Sequence, residues 1–122
     1  MSVVLIVEDE AQVLVLAESI LQGAGYDTLS ASTVAEALAI VQSDGPIDLL
    51  FTDLGLGDEL EGGLSIGQAV AQSRPGLPIL YASGRELTDG MTALFVKPNA
   101  FLAKPYTAEQ LLNSVSKLLG VP

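Results

Sequence analysis

The chain has 122 residues, with 15 acidic and 5 basic side chains, a formal net charge of −10, and neither histidine nor cysteine. This length fits a single domain over residues 1–122, large enough to bury its own core. The negative charge disfavours direct binding of nucleic acid, and the missing histidines exclude histidine-based acid–base catalysis and histidine metal sites. Any metal would be held by oxygen, which favours Mg²⁺, Mn²⁺ or Ca²⁺.

Strand and helix patterns alternate along the whole chain. In chain order they predict a strand at Val3–Val7, a helix at Ala11–Ala24, a strand at Tyr26–Ala31, a helix at Thr33–Ser43, a strand at Leu49–Thr52, a helix at Gly63–Ser73, a strand at Pro78–Ala82, a short or irregular helix near Leu87–Phe95, a strand at Ala100–Ala103 and a helix at Thr107–Leu119. Thr33 and Thr107 are the expected helix caps. The alternation predicts an α/β domain with a parallel sheet, and the continuous apolar strands indicate a sheet covered on both faces.

The amino-terminal residues predict a cytoplasmic protein. Met1 and Ser2 bring no basic cluster, and the apolar run Val3–Val7 is followed directly by three acids. Signal peptides and membrane spans both need longer apolar stretches, so neither is expected here.

Three acids follow predicted strands at the edge where open α/β sheets carry their sites. Glu8 and Asp9 come after the first strand, and Asp53 comes after the third. If those strands are neighbours, the carboxylates lie close together, and each like-charged pair at 4 Å costs about 4 kcal/mol at an effective dielectric of 20. A divalent cation would relieve this repulsion. Alternatively, each acid by itself is a solvated loop residue or a helix cap.

Two further side chains are predicted at the same edge. Ser83 directly follows the predicted fourth strand, in "YASG", and Lys104 directly follows the fifth, in "FLAKP". Carboxylates, a hydroxyl and an ammonium together suit phosphoryl transfer, in which a carboxylate attacks phosphorus to form an aspartyl phosphate while cations neutralise the phosphoryl oxygens.

The ordered set "IVEDE", "FTD", "YASG" and "FLAKP" resembles the response-regulator receiver domain, the phosphoacceptor module of two-component signalling. The resemblance covers essentially the whole chain. It implies a flavodoxin-like doubly wound sheet of five parallel strands in the order 2-1-3-4-5, with about five helices, the fourth short or irregular. It also implies a signalling switch that phosphorylates and dephosphorylates itself, rather than an enzyme with turnover.

The resemblance assigns roles to individual residues. Asp53 would be the phosphorylation site, and it would share Mg²⁺, or Mn²⁺, with Asp9 directly, with Glu8 through water and with the backbone carbonyl of Gly55. Ser83 and Lys104 would contact the phosphoryl group.

The resemblance also implies how the state of the site is transmitted. Ser83 and the aromatic Phe101 would form the switch, and the Lys104–Pro105 peptide bond would be cis. The added charge of a phosphoryl group would bias an equilibrium between two conformations.

The expected partners are a histidine kinase or histidine phosphotransfer protein upstream and an effector downstream, in trans or in cis. No contact with nucleic acid or membrane is expected, and the chain should be a monomer or a weak dimer. The helical period of the first helix predicts a core stripe that leaves Leu14 and Val15 exposed to dock the phosphodonor; the stripe is Val13, Leu16, Ala17, Ile20 and Ala24. A wider stripe would leave both partly buried.

The sequence departs from the family in the loop Gly55–Gly63, which is long, acidic and glycine-rich, with Gly57 where the family often has proline. Other interpretations of the sequence are a different phosphate-binding or metal-binding protein, or a scaffold. A flavodoxin-like FMN module shares the fold, but the acids after the first strand would repel the phosphate. A haloacid-dehalogenase-type phosphotransferase needs a second acid where Gly55 stands, and the loop lacks the oxygen ligands of a Ca²⁺ loop. A pseudo-receiver scaffold that is not phosphorylated is the remaining alternative.

Overall fold

A computed structural model describes residues 2–56, 62–84, 89–93, 95–96 and 98–120. Within these ranges strands and helices alternate as predicted, and their bounds are β1 Val3–Val7, α1 Ala11–Gly23, β2 Asp27–Ala31, α2 Val34–Val41, β3 Leu49–Asp53, α3 Gly62–Ser73, β4 Ile79–Ser83, α4 Asp89–Thr92, β5 Asn99–Ala103 and α5 Ala108–Leu119.

The five strands form one parallel sheet in the order β2-β1-β3-β4-β5. The predicted flavodoxin-like fold is therefore confirmed. The chain runs outward from β1 to β2 and then returns to the other side of β1, so β1 and β3 are neighbours, with Val7 paired to Thr52. This reversal of strand order brings the residues that follow β1 next to those that end β3.

Two apolar layers enclose the sheet. Side chains of consecutive strand residues point to opposite faces, so Val4 and Ile6 pack with α1 and α5, whereas Leu5 and Val7 pack with α2 and α3. This double burial is why the strands are continuously apolar instead of alternating. We call the two sides the α1/α5 layer and the α2/α3 layer.

Threonine caps fix the starts of α2 and α5. The Thr33 hydroxyl accepts a hydrogen bond from the backbone N–H of Glu36 at 3.1 Å. Thr107 accepts one from the N–H of Gln110, whose side chain accepts in return from the Thr107 N–H. Each cap satisfies N–H groups that a helix start leaves unpaired.

The fourth helix is a single turn, Asp89–Thr92, and lies inside the interval predicted to be short or irregular. Residues 87, 88 and 94 of that interval lie outside the described residues, as do residues 57–61 of the acidic loop, Gly57 among them. Along the described ranges, no helix combines the length and the apolarity that a membrane crossing requires.

The predicted core stripe of α1 is confirmed in part: Ala17 is buried and Ile20 packs against the α1/α5 layer, whereas Leu16 and Ala24 are exposed. Leu14 is not exposed but packs against the α1/α5 layer, together with the buried Ala17 and Leu21. Leu16, which was expected in the core, is 57% exposed beside Val15 at 59%. A core stripe at positions 14, 17 and 21 fits the helical period as well as the predicted stripe does. The burial of Leu21 at the helix end shows that the first of these two stripes faces the core.

Candidate functional site

Asp53 is the last residue of β3 and stands at the carboxyl edge of the sheet. The three residues before it are fully or almost fully buried, so the strand fixes the position of the aspartate. Its side chain is 14% exposed and therefore has limited access to solvent. Asp53 pairs with Ala82 of β4, one residue before Ser83.

Lys104 connects the acids of two different strands. The Lys104 ammonium donates to the Glu8 carboxylate at 2.5 Å and to the Asp53 carboxylate at 3.1 Å. Lys104 follows the edge strand β5, so its side chain extends past β4 to reach Asp53. Its backbone N–H also donates to the Ser83 carbonyl at 2.9 Å, which ties the start of the loop to β4. The following Lys104–Pro105 peptide bond is cis.

Glu8, Asp9 and Asp53 bring carboxylate oxygens within 4.8 Å of one another. Glu8 is buried, Asp53 is partly buried and Asp9 is exposed, so the cluster has one side open to solvent. Hard divalent cations prefer such oxygen ligands, and a cation that keeps some of its waters needs an open side. The donor set therefore fits Mg²⁺ or Mn²⁺.

Burial and neighbouring charges both shift the pKa values of the acids in the site. Burial raises the pKa of the Asp53 carboxyl; the Lys104 ammonium opposes this, and the Asp9 charge adds to it. Burial likewise raises the pKa of Glu8, although its hydrogen bond from Lys104 acts in the opposite direction. Both carboxyls are harder to ionise than usual because the effect of burial outweighs the favourable contact with the single ammonium.

Lys104 experiences the reverse balance. Burial alone would lower the pKa of its ammonium, but the hydrogen bonds and charges of Glu8 and Asp53 outweigh burial and raise that pKa above its usual value. The lysine is therefore fully charged near neutral pH. It supplies a fixed positive charge next to the Asp53 oxygens.

The remaining predicted residues surround this cluster. Ser83 ends β4 and is buried, and Gly55 is partly exposed two residues after Asp53. Phe101 of β5 is partly buried and packs on the α2/α3 layer, where it is paired across the sheet with Tyr81. The structure therefore brings Glu8, Asp9, Asp53 and Lys104 into one cluster, with Ser83 and Phe101 on the two adjacent strands.

Sequence reasoning missed Tyr81, two residues before Ser83 on the same face of β4. Its hydroxyl accepts a hydrogen bond from the Val96 N–H at 3.0 Å, and its ring stacks on Phe95 with centroids 4.1 Å apart. An aromatic residue in an otherwise aliphatic buried strand is the signal that could have identified it. The tyrosine anchors the segment between α4 and β5 to the strand that ends at Ser83.

A groove beside Lys104 was also missed. It is lined by Glu10, Val13, Leu16, Lys104, Pro105 and Tyr106, so it joins the exposed face of α1 to the site. On the inner side, the Tyr106 ring packs edge-on against Phe51, with centroids 5.8 Å apart. A predicted core stripe shifted by one residue along α1 would have placed Leu16 at this surface.

Comparison with known proteins identifies the family of the chain. The sequence model of one family, the response regulator receiver domain, matches residues 4–116 of the chain. The chain belongs to this family. It is 35% identical over 120 residues to the transcriptional regulatory protein BasR of Escherichia coli, and this match covers 95% of the chain but 51% of BasR. The chain thus spans about half the length of BasR and of the regulatory protein PhoP of Bacillus subtilis.

Solved structures give the same result. A response regulator receiver protein from Sinorhizobium medicae superimposes with a TM-score of 0.88 at 30% identity, over 98% of this chain and 94% of that one. The receiver domain of the hybrid histidine kinase CckA superimposes with a TM-score of 0.80 at 28% identity, over 97% of this chain and 99% of that one. Receiver domains therefore match this chain over nearly its whole length.

Proposed function

We propose that this receiver domain accepts a phosphoryl group on Asp53 from a histidine kinase or a histidine phosphotransfer protein, and that it changes conformation to control a partner. The observation that carries the proposal is the hydrogen bond from the Lys104 ammonium to the Asp53 carboxylate at 3.1 Å, beside two further acids. A buried strand holds the nucleophile, and a cation and a set of metal ligands adjoin it.

The chemistry is a displacement at phosphorus. One Asp53 carboxylate oxygen attacks, and its bond to phosphorus forms as the bond from phosphorus to the histidine nitrogen breaks; the nitrogen keeps the electron pair. Water later attacks the aspartyl phosphate and returns the carboxylate and inorganic phosphate. The domain therefore acts as a switch that resets itself, without repeated turnover of a substrate.

Mg²⁺, or Mn²⁺ in its place, is the proposed cofactor. Asp9, Asp53 and the Gly55 carbonyl would hold it directly, and Glu8 would hold it through water. When bound, the cation neutralises charge that gathers on the phosphoryl oxygens. The raised pKa of Asp53 and Glu8 supports this assignment, because a bound cation would offset the burial and the neighbouring negative charges that disfavour their ionised forms.

Lys104 and Ser83 would hold the phosphoryl group. The Lys104 ammonium already lies at hydrogen-bond distance from one Asp53 carboxylate oxygen, so little movement would be needed to reach an oxygen of a phosphoryl group on Asp53. Ser83 ends the neighbouring strand, and its hydroxyl would donate to a second oxygen. A phosphoryl group adds about −1.5 to −2 charges, which would draw both donors inward.

Ser83 and Phe101 would then transmit the change. They lie on adjacent strands at the carboxyl edge, where β4 pairs with β5. Inward movement of Ser83 would leave space into which the partly buried Phe101 ring could turn. This would bias a two-state equilibrium toward the form that the effector recognises.

The partners are proposed from the surface of α1. Val15 and Leu16 are exposed, and Leu16 lines the groove that reaches Lys104, so a helical phosphodonor docked here would bring its histidine toward Asp53. Leu16 thus takes the docking role first expected of Leu14. We further propose a cytoplasmic domain spanning residues 1–122, a monomer or weak dimer that contacts neither membrane nor nucleic acid directly, with its effector in trans or in cis.

Phosphorylation by acetyl phosphate with Mg²⁺, followed by intact mass measurement, tests the proposal. The wild-type chain should gain one phosphoryl group, Asp53→Asn should gain none, and Asp27→Asn, at an exposed aspartate of the edge strand β2, should match the wild type. A wild-type chain that gains no phosphoryl group at any Mg²⁺ concentration would favour the unphosphorylated scaffold. Flavin absorbance in the purified protein would favour the FMN module.

A further inference from the structure

Gly63 is the second residue of α3, and it packs directly on the backbone that carries Asp53. Its N–H donates to the Leu54 carbonyl at 2.9 Å. A Cβ atom built on Gly63 would lie 2.3 Å from the Asp53 carbonyl oxygen, 2.9 Å from Leu54 Cα and 3.0 Å from the Asp53 carbonyl carbon. All three neighbours are backbone atoms, so no rotamer change could relieve the overlap.

Two other glycines of α3 differ in what they touch. A Cβ on Gly62 would lie 2.8 Å from a methyl of Val34 and 3.2 Å from Leu56 Cβ, and a Cβ on Gly67 would lie 2.5 Å from the Tyr81 hydroxyl. These neighbours are side-chain atoms of the core. An added methyl at Gly62 or Gly67 therefore disturbs packing, whereas one at Gly63 displaces the strand end itself.

The displaced segment is the one that the site depends on. To accept a Cβ at position 63, the Asp53 carbonyl oxygen and α3 must move apart until the distance between that Cβ and the oxygen rises from 2.3 Å to at least 3.0 Å. The same carbonyl accepts a hydrogen bond from the Thr52 hydroxyl at 3.0 Å, so a shift also strains that contact. It would move the Asp53 carboxylate relative to Lys104, which is 3.1 Å away. Misplacement by about 1 Å can lower a rate about 100-fold.

We propose that Gly63 is a positioning residue: its missing side chain lets α3 rest on the Asp53 carbonyl and so fixes the phosphoacceptor against Lys104 and the acidic cluster. This inference rests on the proposed function of Asp53. It explains why the buried second position of α3 is a glycine in spite of its poor helix propensity.

The test compares Gly63→Ala with Gly62→Ala, which adds the same methyl one residue earlier. Unfolding in urea gives the stability of each variant, and intact mass gives the rate of phosphorylation over a range of acetyl phosphate and Mg²⁺ concentrations. Gly63→Ala should lower the rate at saturating donor and Mg²⁺ by at least tenfold, because more ligand cannot correct the position of Asp53. Gly62→Ala should lose stability but stay within about threefold of the wild-type rate while folded.

Equal rates in the two variants, or a Gly63→Ala defect that saturating Mg²⁺ and donor abolish, would overturn the proposal. If Gly63→Ala is partly unfolded, all chains are assayed in trimethylamine N-oxide, which favours the folded state. A variant that remains unfolded there would show that Gly63 serves folding and not positioning.

The two proposals fail in different ways. A wild-type chain without any phosphoryl gain refutes the proposed function, and with it the positioning of a phosphoacceptor. A wild-type chain that is phosphorylated beside an equally active Gly63→Ala refutes the positioning role alone.

Discussion

The Lys104 ammonium reaches across β4 to donate a hydrogen bond to the Asp53 carboxylate at 3.1 Å. The same nitrogen donates to Glu8, so one cation, placed just after β5, joins the residue that follows β1 to the last residue of β3. The paired residues are far apart in the sequence, and their side chains are all less than one-fifth exposed. The sheet, and not the local chain, therefore keeps these ion pairs in place. This cation sets the electrostatic balance of the site.

Lys104→Met should lower the rate of phosphorylation by acetyl phosphate by about 100-fold, because a fixed charge next to the reacting oxygens is lost. Intact mass over time, at saturating Mg²⁺, measures the rate. Lys117→Met, at an exposed lysine in the last turn of α5, is the control and should match the wild type. A Lys104→Met rate within threefold of the wild type would remove the lysine from the mechanism.

Asp9→Asn should stabilise the chain in the absence of Mg²⁺ by about 0.5–1 kcal/mol, since it removes a like charge that opposes ionisation of Asp53. Mg²⁺ at ten times its dissociation constant should add about 1.4 kcal/mol to the wild type and much less to the variant. Urea unfolding followed by circular dichroism, with and without Mg²⁺, measures both. Asp44→Asn serves as the control, and equal Mg²⁺ stabilisation in all three chains would contradict the metal site.

Tyr81→Phe should destabilise the chain by about 1 kcal/mol, because the Val96 N–H loses its acceptor while the stacked ring is kept. Hydrogen exchange should show faster exchange of the Val96 amide. Tyr106→Phe, in the α1/α5 layer, should leave that amide unchanged. Unchanged Val96 exchange in Tyr81→Phe would show that the hydroxyl does not hold the segment before β5.

Glu36 should titrate below its ordinary pKa of 4.5, because the Ser32 hydroxyl and N–H, and then Thr33, donate hydrogen bonds to its carboxylate. A lowered folded-state pKa gives stability that is present above the unfolded value and lost as the pH falls through the folded value. The stability difference between wild type and Glu36→Gln should therefore shrink below about pH 4.5. NMR titration checks the midpoint, and Ser32→Ala should move it back toward 4.5; a midpoint at or above 4.5 in the wild type would refute the account.

The sheet and the acidic cluster were predictable because both follow from simple placement rules. Apolar runs gave the strands, and the alternation with helices required a parallel sheet. Acids directly after β1 and β3 meet once those strands are neighbours, whatever the details of packing. The fold and the grouping of Glu8, Asp9 and Asp53 therefore needed no knowledge of side-chain contacts.

The face of α1 and the role of Gly63 were less accessible. Positions 13 to 17 are all apolar, so the helical period fits more than one stripe, and only the contact of Leu21 with the sheet chooses between them. The Gly63 contact depends on how closely α3 approaches β3 in space. Neither of these contacts can be predicted from the local pattern of the sequence.

The two apolar layers have a consequence for how such a domain can diversify. Helix α1 packs in the α1/α5 layer, on one side of the sheet. Helix α3, which contacts the backbone of Asp53, packs in the α2/α3 layer on the other side. Distant substitutions without shared neighbours act nearly independently. If α1 docks the phosphodonor as proposed, mutations on its exposed face can accumulate without disturbing the contact of α3 with Asp53, so partner choice and the position of the aspartate would evolve on separate sides of one sheet.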